Sequence, residues 1–101
     1  MIVVRDIFQI RFGKIREAIA VWKEWDEIMH QAEATGRKPR ILTDFAGNNY
    51  YTLIMEQEFE SLAEFEESMA RMSGNGNWKS WYQKFIPLAE SGHREILRIV
   101  E

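Results

Sequence analysis

Apolar and polar positions along the chain change period several times, and each change marks an element. Residues 2–11 (IVVRDIFQIR) are rich in β-branched and aromatic side chains over the length of a long strand, and Gly13 punctuates its end. From Ile15 the spacing shifts to steps of three and four. Ile15, Ala18, Ile19, Trp22, Met29 and Ala32 gather on one side, and Lys23, Asp26, Glu27 and His30 on the other. This predicts one amphipathic helix of about five turns, ended by Gly36 as a left-handed cap and by Arg37-Lys38-Pro39. Residues 40–46 (RILTDFA) and 50–59 (YYTLIMEQEF) alternate as strands do, and Gly47-Asn48-Asn49 between them tolerates positive φ, so a β-hairpin is expected.

Ser61-Leu62-Ala63-Glu64 matches a capping box, in which the serine hydroxyl accepts from a free helix N–H and the glutamate reaches back. A second helix starts there with the stripe Leu62, Phe65, Met69 and Met72. The run Ser73-Gly74-Asn75-Gly76-Asn77 breaks it. Trp78, Trp81, Tyr82, Phe85 and Ile86 then resume helical spacing until Pro87 and Gly92 stop it, and residues 94–100 (REILRIV) close the chain as a strand. The order is β-α-β-β-α-β with the second helix split. That order specifies an α+β, ferredoxin-like unit: a four-stranded antiparallel sheet with the helices on one face. With no repeat, low-complexity tract or linker, residues 1–101 are expected to form one domain.

Strand alternation separates the two sheet faces on paper. In the first strand Ile2, Val4, Asp6, Phe8 and Ile10 oppose Val3, Arg5, Ile7 and Gln9. In the third, Tyr51, Leu53, Met55, Gln57 and Phe59 oppose Tyr50, Thr52, Ile54, Glu56 and Glu58. Neither side is wholly polar, whereas a solvated sheet face shows clean alternation. Four Trp, three Tyr and six Phe also strain the interior that a chain of this length can enclose. Leaving the second face in water would expose an apolar patch on the order of several hundred Å², and a two-fold partner of the same chain is the economical cover. Any of Arg5, Gln9, Glu56 or Arg98 enclosed there would need a partner.

The chain resembles the dimeric α/β-barrel superfamily, and within it the NIPSNAP-like domains related to antibiotic-biosynthesis-monooxygenase-type domains. The stretches that carry the likeness are Phe12-Gly13-Lys14 at the first strand-to-helix turn, residues 51–59 (YTLIMEQEF) running into Ser61-Leu62-Ala63-Glu64-Phe65, and residues 78–88 (WKSWYQKFIPL) before Glu95-Ile96-Leu97. The resemblance implies a homodimer whose two sheets face each other to form a barrel, with helices outside. Relatives oxygenate quinol-like aromatics without metal or flavin, or bind and degrade haem. The Asn, Trp and His that share the work in such oxygenases are not reproduced as a set. His30 and His93, the two histidines present, do not stand where haem-degrading relatives place their ligand.

Charge and motifs narrow the function further. Thirteen basic against sixteen acidic side chains give a net charge of -3, and no basic stripe interleaves with aromatics, so nucleic acid is not an expected partner. There is no cysteine, hence no disulfide and no thiolate metal site, which fits a cytoplasmic protein. Nothing approaches eighteen consecutive apolar residues and no signal-peptide pattern is seen, so no membrane partner is expected. Phosphate-loop, dinucleotide and nucleophile-elbow motifs are missing, and no cofactor or metal is expected.

The expected function is therefore a homodimer that binds a small, mostly apolar molecule between each sheet and its split helix. Phe8, Gln9, Trp22, Met69, Trp78, Trp81 and Tyr82 form the candidate wall, Gln9 orienting a polar group and the rings excluding water. Core packing alone would explain the same rings, and a purely structural dimer is the competing class. A cofactor-independent monooxygenase is the enzymatic alternative, with Asp6, Asp44, Glu56 or His93 left to accept a proton and no catalytic residue standing out. Asp44 with Glu56 could form a carboxylate pair, and Arg37, Lys38 and Arg40 could hold an anion. Charged residues on paired strands more often bond neighbours or face water, and cations are favoured at a helix C-terminus in any case, so strand pairing and the helix end are the simpler explanations.

Overall fold

A computed structural model describes residues 1–47 and 49–101. Strand β1 (Ile2–Ile10) leads into helices α1 (Ile15–Trp22) and α2 (Trp25–Gln31). Strands β2 (Arg40–Thr43) and β3 (Thr52–Phe59) follow, then α3 (Leu62–Ser73), α4 (Gly76–Phe85), a 3₁₀ turn at Ile86–Leu88 and strand β4 (Ala89–Arg98). The four strands form one sheet in the order β2-β3-β1-β4, antiparallel throughout. This is the ferredoxin-like α+β arrangement that the element order specifies. No described helix is long and apolar enough to cross a membrane.

The helices cover the side of the sheet that carries Val4, Phe8 and Ile10 from β1 and Leu53, Met55 and Phe59 from β3. These side chains pack with Ala18, Trp22, Trp25, Met72, Trp81 and Phe85 in one cluster and with Phe65 in a second. The other side carries Val3, Arg5, Ile7 and Gln9, and Thr52, Ile54, Glu56 and Glu58. None of these enters either cluster.

Four local expectations change. The first helix is two helices, because at Val21 the carbonyl accepts the Glu24 N–H in a three-residue step and also the Trp81 indole N–H at 2.6 Å. Its end is set by Glu33, not Gly36: Glu33 sits at φ 55°, its N–H donating to the His30 carbonyl while the Ala34 N–H reaches the Met29 carbonyl, a Schellman closure. Gly36 instead makes room for the core, since a Cβ there would stand 2.6 Å from the Phe59 ring. The β2–β3 hairpin forms, but with a longer connection than the tight turn expected at Gly47-Asn48-Asn49, of which Asn48 lies outside the described residues. Asp44 closes the hairpin, its carboxylate accepting the Thr52 N–H at 2.8 Å. Finally, Gly92 and His93 lie inside β4, which begins at Ala89 and bulges at Glu90, between the pairs Ile10–Ala89 and Gln9–Ser91.

The expected break in the second helix is present. Asn75 opens α4 with its side chain accepting the Asn77 N–H at 2.8 Å. Ser61 caps α3 through the Glu64 N–H at 3.2 Å, while the Glu64 carboxylate reaches one residue past the box to the Glu60 N–H.

Candidate functional site

Three polar ties fasten α4 to the first pair of helices. The Trp81 indole holds Val21, Lys84 pairs with Glu24 at 2.7 Å, and the Asn77 amide donates to Gln31 at 2.6 Å. α4 thus lies over α1 and α2 with its ring-bearing face inward. Trp81 packs edge-on to Trp22, with ring centroids 4.6 Å apart, and lies 4.7 Å from Trp25. Phe85 meets Phe8 edge-on at 4.7 Å, and Trp78 stacks on Tyr82 at 5.3 Å. The edge-on Trp22–Trp81 and Phe8–Phe85 pairs and the stacked Trp78–Tyr82 pair are preferred aromatic geometries.

The cluster does not fill the space against the outer half of the sheet. A cleft of about 270 Å³ opens between α4, α1, α2 and the β1–β4 pair, bordered by Phe8, Trp22, Met69, Trp78, Trp81 and Tyr82, six of the seven residues expected to share a wall. Gln9 is not among them. It follows Phe8 on β1 and so lies on the opposite sheet face, where its amide donates to the Tyr50 carbonyl at 2.5 Å and fastens the strand to the β2–β3 connection. Its expected role in orienting a ligand within this cleft is corrected by strand parity alone.

Phe85, from the same helical stripe as Trp78 and Trp81, also borders the cleft, as do residues that the helical stripes did not reveal: Trp25, Asp6, Gly92, His93 and Arg94. Asp6 is nearly enclosed, and Arg94, opposite it on β4, grips it through Nε at 2.6 Å and Nη2 at 3.4 Å. The same guanidinium lies over the Phe65 ring at 5.2 Å. The cleft is therefore apolar with one neutralised ion pair on its floor. His93 borders it from the strand but pairs opposite Ile7, which assigns its side chain to the other face. Alternation along β1 and β4 is the signal that would have placed Asp6 and Arg94 beside Phe8.

The remaining candidates stand elsewhere. Asp44 and Glu56 do not form a carboxylate pair: Asp44 serves the hairpin, while Glu56 on the uncovered face pairs with Arg5 at 3.0 Å and with Arg40. Burial pushes the Glu56 pKa up. The hydrogen bonds and charges of Arg40 and Arg5 outweigh that and hold the carboxyl below the ordinary glutamate range. Arg40 is thereby committed to Glu56, which leaves Arg37 and Lys38 as exposed residues just ahead of β2. His30 is exposed on α2.

Sheet order and helix placement give the fold seen in solved NIPSNAP domain proteins and in an antibiotic biosynthesis monooxygenase. An uncharacterized NIPSNAP domain protein from Burkholderia xenovorans superposes with a TM-score of 0.86 at 17% identity, over 99% of this chain and 95% of that one. A NIPSNAP family protein from Agrobacterium tumefaciens follows at 0.84 and 21% identity, over 99% and 93% of the two chains. SnoaB, a cofactor-independent oxygenase from Streptomyces nogalater, superposes at 0.73 and 11% identity, over 99% and 93%. No family model matches the sequence, and no curated protein does.

Proposed function

We propose that this chain, working as one domain in the cytoplasm, is a homodimeric small-molecule-binding protein that takes a mostly apolar ring compound in the cleft beneath α4. The observation that carries the proposal is the cleft itself, whose wall is built from Phe8, Trp22, Trp25, Trp78, Trp81, Tyr82 and Phe85 yet left unfilled by them. Interiors pack densely, and seven rings that surround a space instead of closing it are unusual for a wall with no further duty. Titrating the protein with naphthoquinols and with haem while following tryptophan emission tests this. Quenching that weakens in Trp78→Ala supports cleft binding, and emission unchanged by any of these compounds leaves a structural dimer.

Support for the dimer comes from the uncovered face. Val3, Ile7, Ile54, Leu42 and Leu97 share it with the Arg5–Glu56–Arg40 network. The chain exposes 6,765 Å², against roughly 6,000 Å² for a folded monomer of this mass. The excess is what a slab with one bare sheet face would show. In sedimentation equilibrium at tens of micromolar, a dimer mass is expected, and a lone monomer would refute it.

A cofactor-independent monooxygenase is the second reading, favoured by the likeness to SnoaB and by Asp6, the carboxylate that borders the cleft. Because Arg94 holds Asp6, a proton acceptor there would first have to release its partner. Oxygen uptake with the same quinols separates the oxygenase from the binder.

A further inference from the structure

A second cleft of about 270 Å³ adjoins the main one and shares four of its borders, Phe8, Tyr82, Phe85 and Gly92. The inner side of the partition between them is closed, because Phe85 is 2% exposed and meets Phe8 edge-on at 4.7 Å. On the outer side stand Tyr82, 45% exposed, and Gly92, which raises no side chain from β4. Past them the second cleft is bordered by Ile86 and Ala89 and by the exposed Glu90 and Ser91. Ile86 follows Tyr82 by four positions, so the two are neighbours on the helix surface. Ile86 is 51% exposed, and with Tyr82 it makes an apolar strip, half in water, that starts at the main cleft and ends in the second.

We propose that the ring compound of the main cleft carries an unbranched alkyl tail, which leaves the ring-lined space between Tyr82 and Gly92 and lies along Ile86 in the second cleft. This rests on the main cleft being a binding site, as argued above. The two spaces differ in what they offer. The main cleft presents rings on several sides and suits a ring; past Tyr82 the apolar borders are the aliphatic Ile86 and Ala89, against which methylenes gain hydrophobic burial and dispersion contacts. An anionic tail is disfavoured, because the charged residue bordering the second cleft is the carboxylate of Glu90. A second copy of the chain is not the occupant proposed here: Phe8 and Gly92 belong to the helix-covered side of the sheet, away from the face that a two-fold partner would cover.

4-Alkylphenols with straight tails lengthened from methyl to hexyl serve as probes in titration calorimetry. Affinity is expected to rise roughly two- to fourfold with each added methylene, the yield of its partial to full burial, and to level off once the tail outgrows the second cleft. Ile86→Asn should flatten that rise. In the unaltered protein, labelled with ¹³C at the isoleucine methyl groups, the Ile86 signal is expected to move with 4-hexylphenol and not with 4-methylphenol, a comparison that needs no variant to fold. If the series binds but longer tails bind no tighter, or the Ile86 signal answers both probes alike, the tail does not lie in the second cleft. This inference then falls while the main cleft stands. A rise as steep in Ile86→Asn as in the unaltered protein overturns it in the same way. If no member of the series binds, both readings fall.

Discussion

Leu53 and Ile54 are neighbours on β3 and belong to different environments. Leu53 is fully enclosed among the helices, whereas Ile54 shares the other face with Glu56, Glu58 and Thr52 and is only half-buried. The same contrast runs across the whole sheet. On the covered face Asp6 is met by Arg94 and the Gln57 amide by the Arg37 carbonyl at 2.9 Å, while the Trp22 and Trp25 indole N–H groups have no acceptor among the described residues. On the uncovered face a single carboxylate, Glu56, gathers two arginines between patches of Val, Ile and Leu. One face is finished within the chain. The other has the composition of a surface that becomes an interior only when something covers it.

Truncating each face at matched residues is the strongest way to break that contrast. Leu53→Ala removes a side chain with no room to relax and should cost about 2–5 kcal/mol in urea unfolding, at any protein concentration. Leu97, 44% exposed on the uncovered face, should behave differently. If two copies bury this face, the unfolding midpoint of the unaltered protein rises with concentration, and Leu97→Asp abolishes that rise while leaving the monomer folded. A midpoint independent of concentration in the unaltered protein would mean that both faces are finished within one chain.

The contrast also explains how much could be read without coordinates. Trp78, Trp81 and Phe85 are legible as one wall because helical period is local, and Met69 and Trp22 follow the same logic on their own helices. Phe8 and Gln9 show the limit: alternation along β1 already separates them, but which parity meets the helices is decided by packing. What stayed hidden was long-range. The interruption after Trp22 depends on an indole sixty positions away, and the Asp6–Arg94 pair joins residues eighty-eight apart. Gly92 reads locally as a helix terminator, and only its position opposite Phe8 on the neighbouring strand reveals a packing role. Of the cleft, the sequence shows the rings; the polar floor is assembled by strand pairing.

Gly92 offers the second, smaller test, this time within the covered face. A Cβ built there would come within 2.6 Å of Phe8 Cδ1, so the Phe8 ring occupies the place a side chain would take. Gly92→Ala should therefore push Phe8 into the cleft, costing about 1–3 kcal/mol of stability and reducing quinol binding. Phe8→Leu, which shortens the obstructing group, should recover part of the stability lost in Gly92→Ala. A double-mutant cycle that came out additive would show that the two positions do not press on each other.

The mildest test addresses the uncovered face through its charge. The Glu56 carboxyl is held below the ordinary glutamate range in the folded chain. Its contribution to stability is thus complete above the unfolded value of about 4.3 and is lost as pH falls through the lower folded value. Glu56→Gln should cost about 1 kcal/mol at neutral pH, since Arg5 and Arg40 are both partly in water and regain hydration when released. The cost should fade on acidification, so the stability curves of Glu56→Gln and the unaltered chain converge below pH 4. Urea midpoints measured from pH 7 down to pH 3 follow the convergence. A gap that stays constant over that range would mean that Glu56 acts through shape and hydrogen bonding, with its ionisation contributing nothing to the sheet.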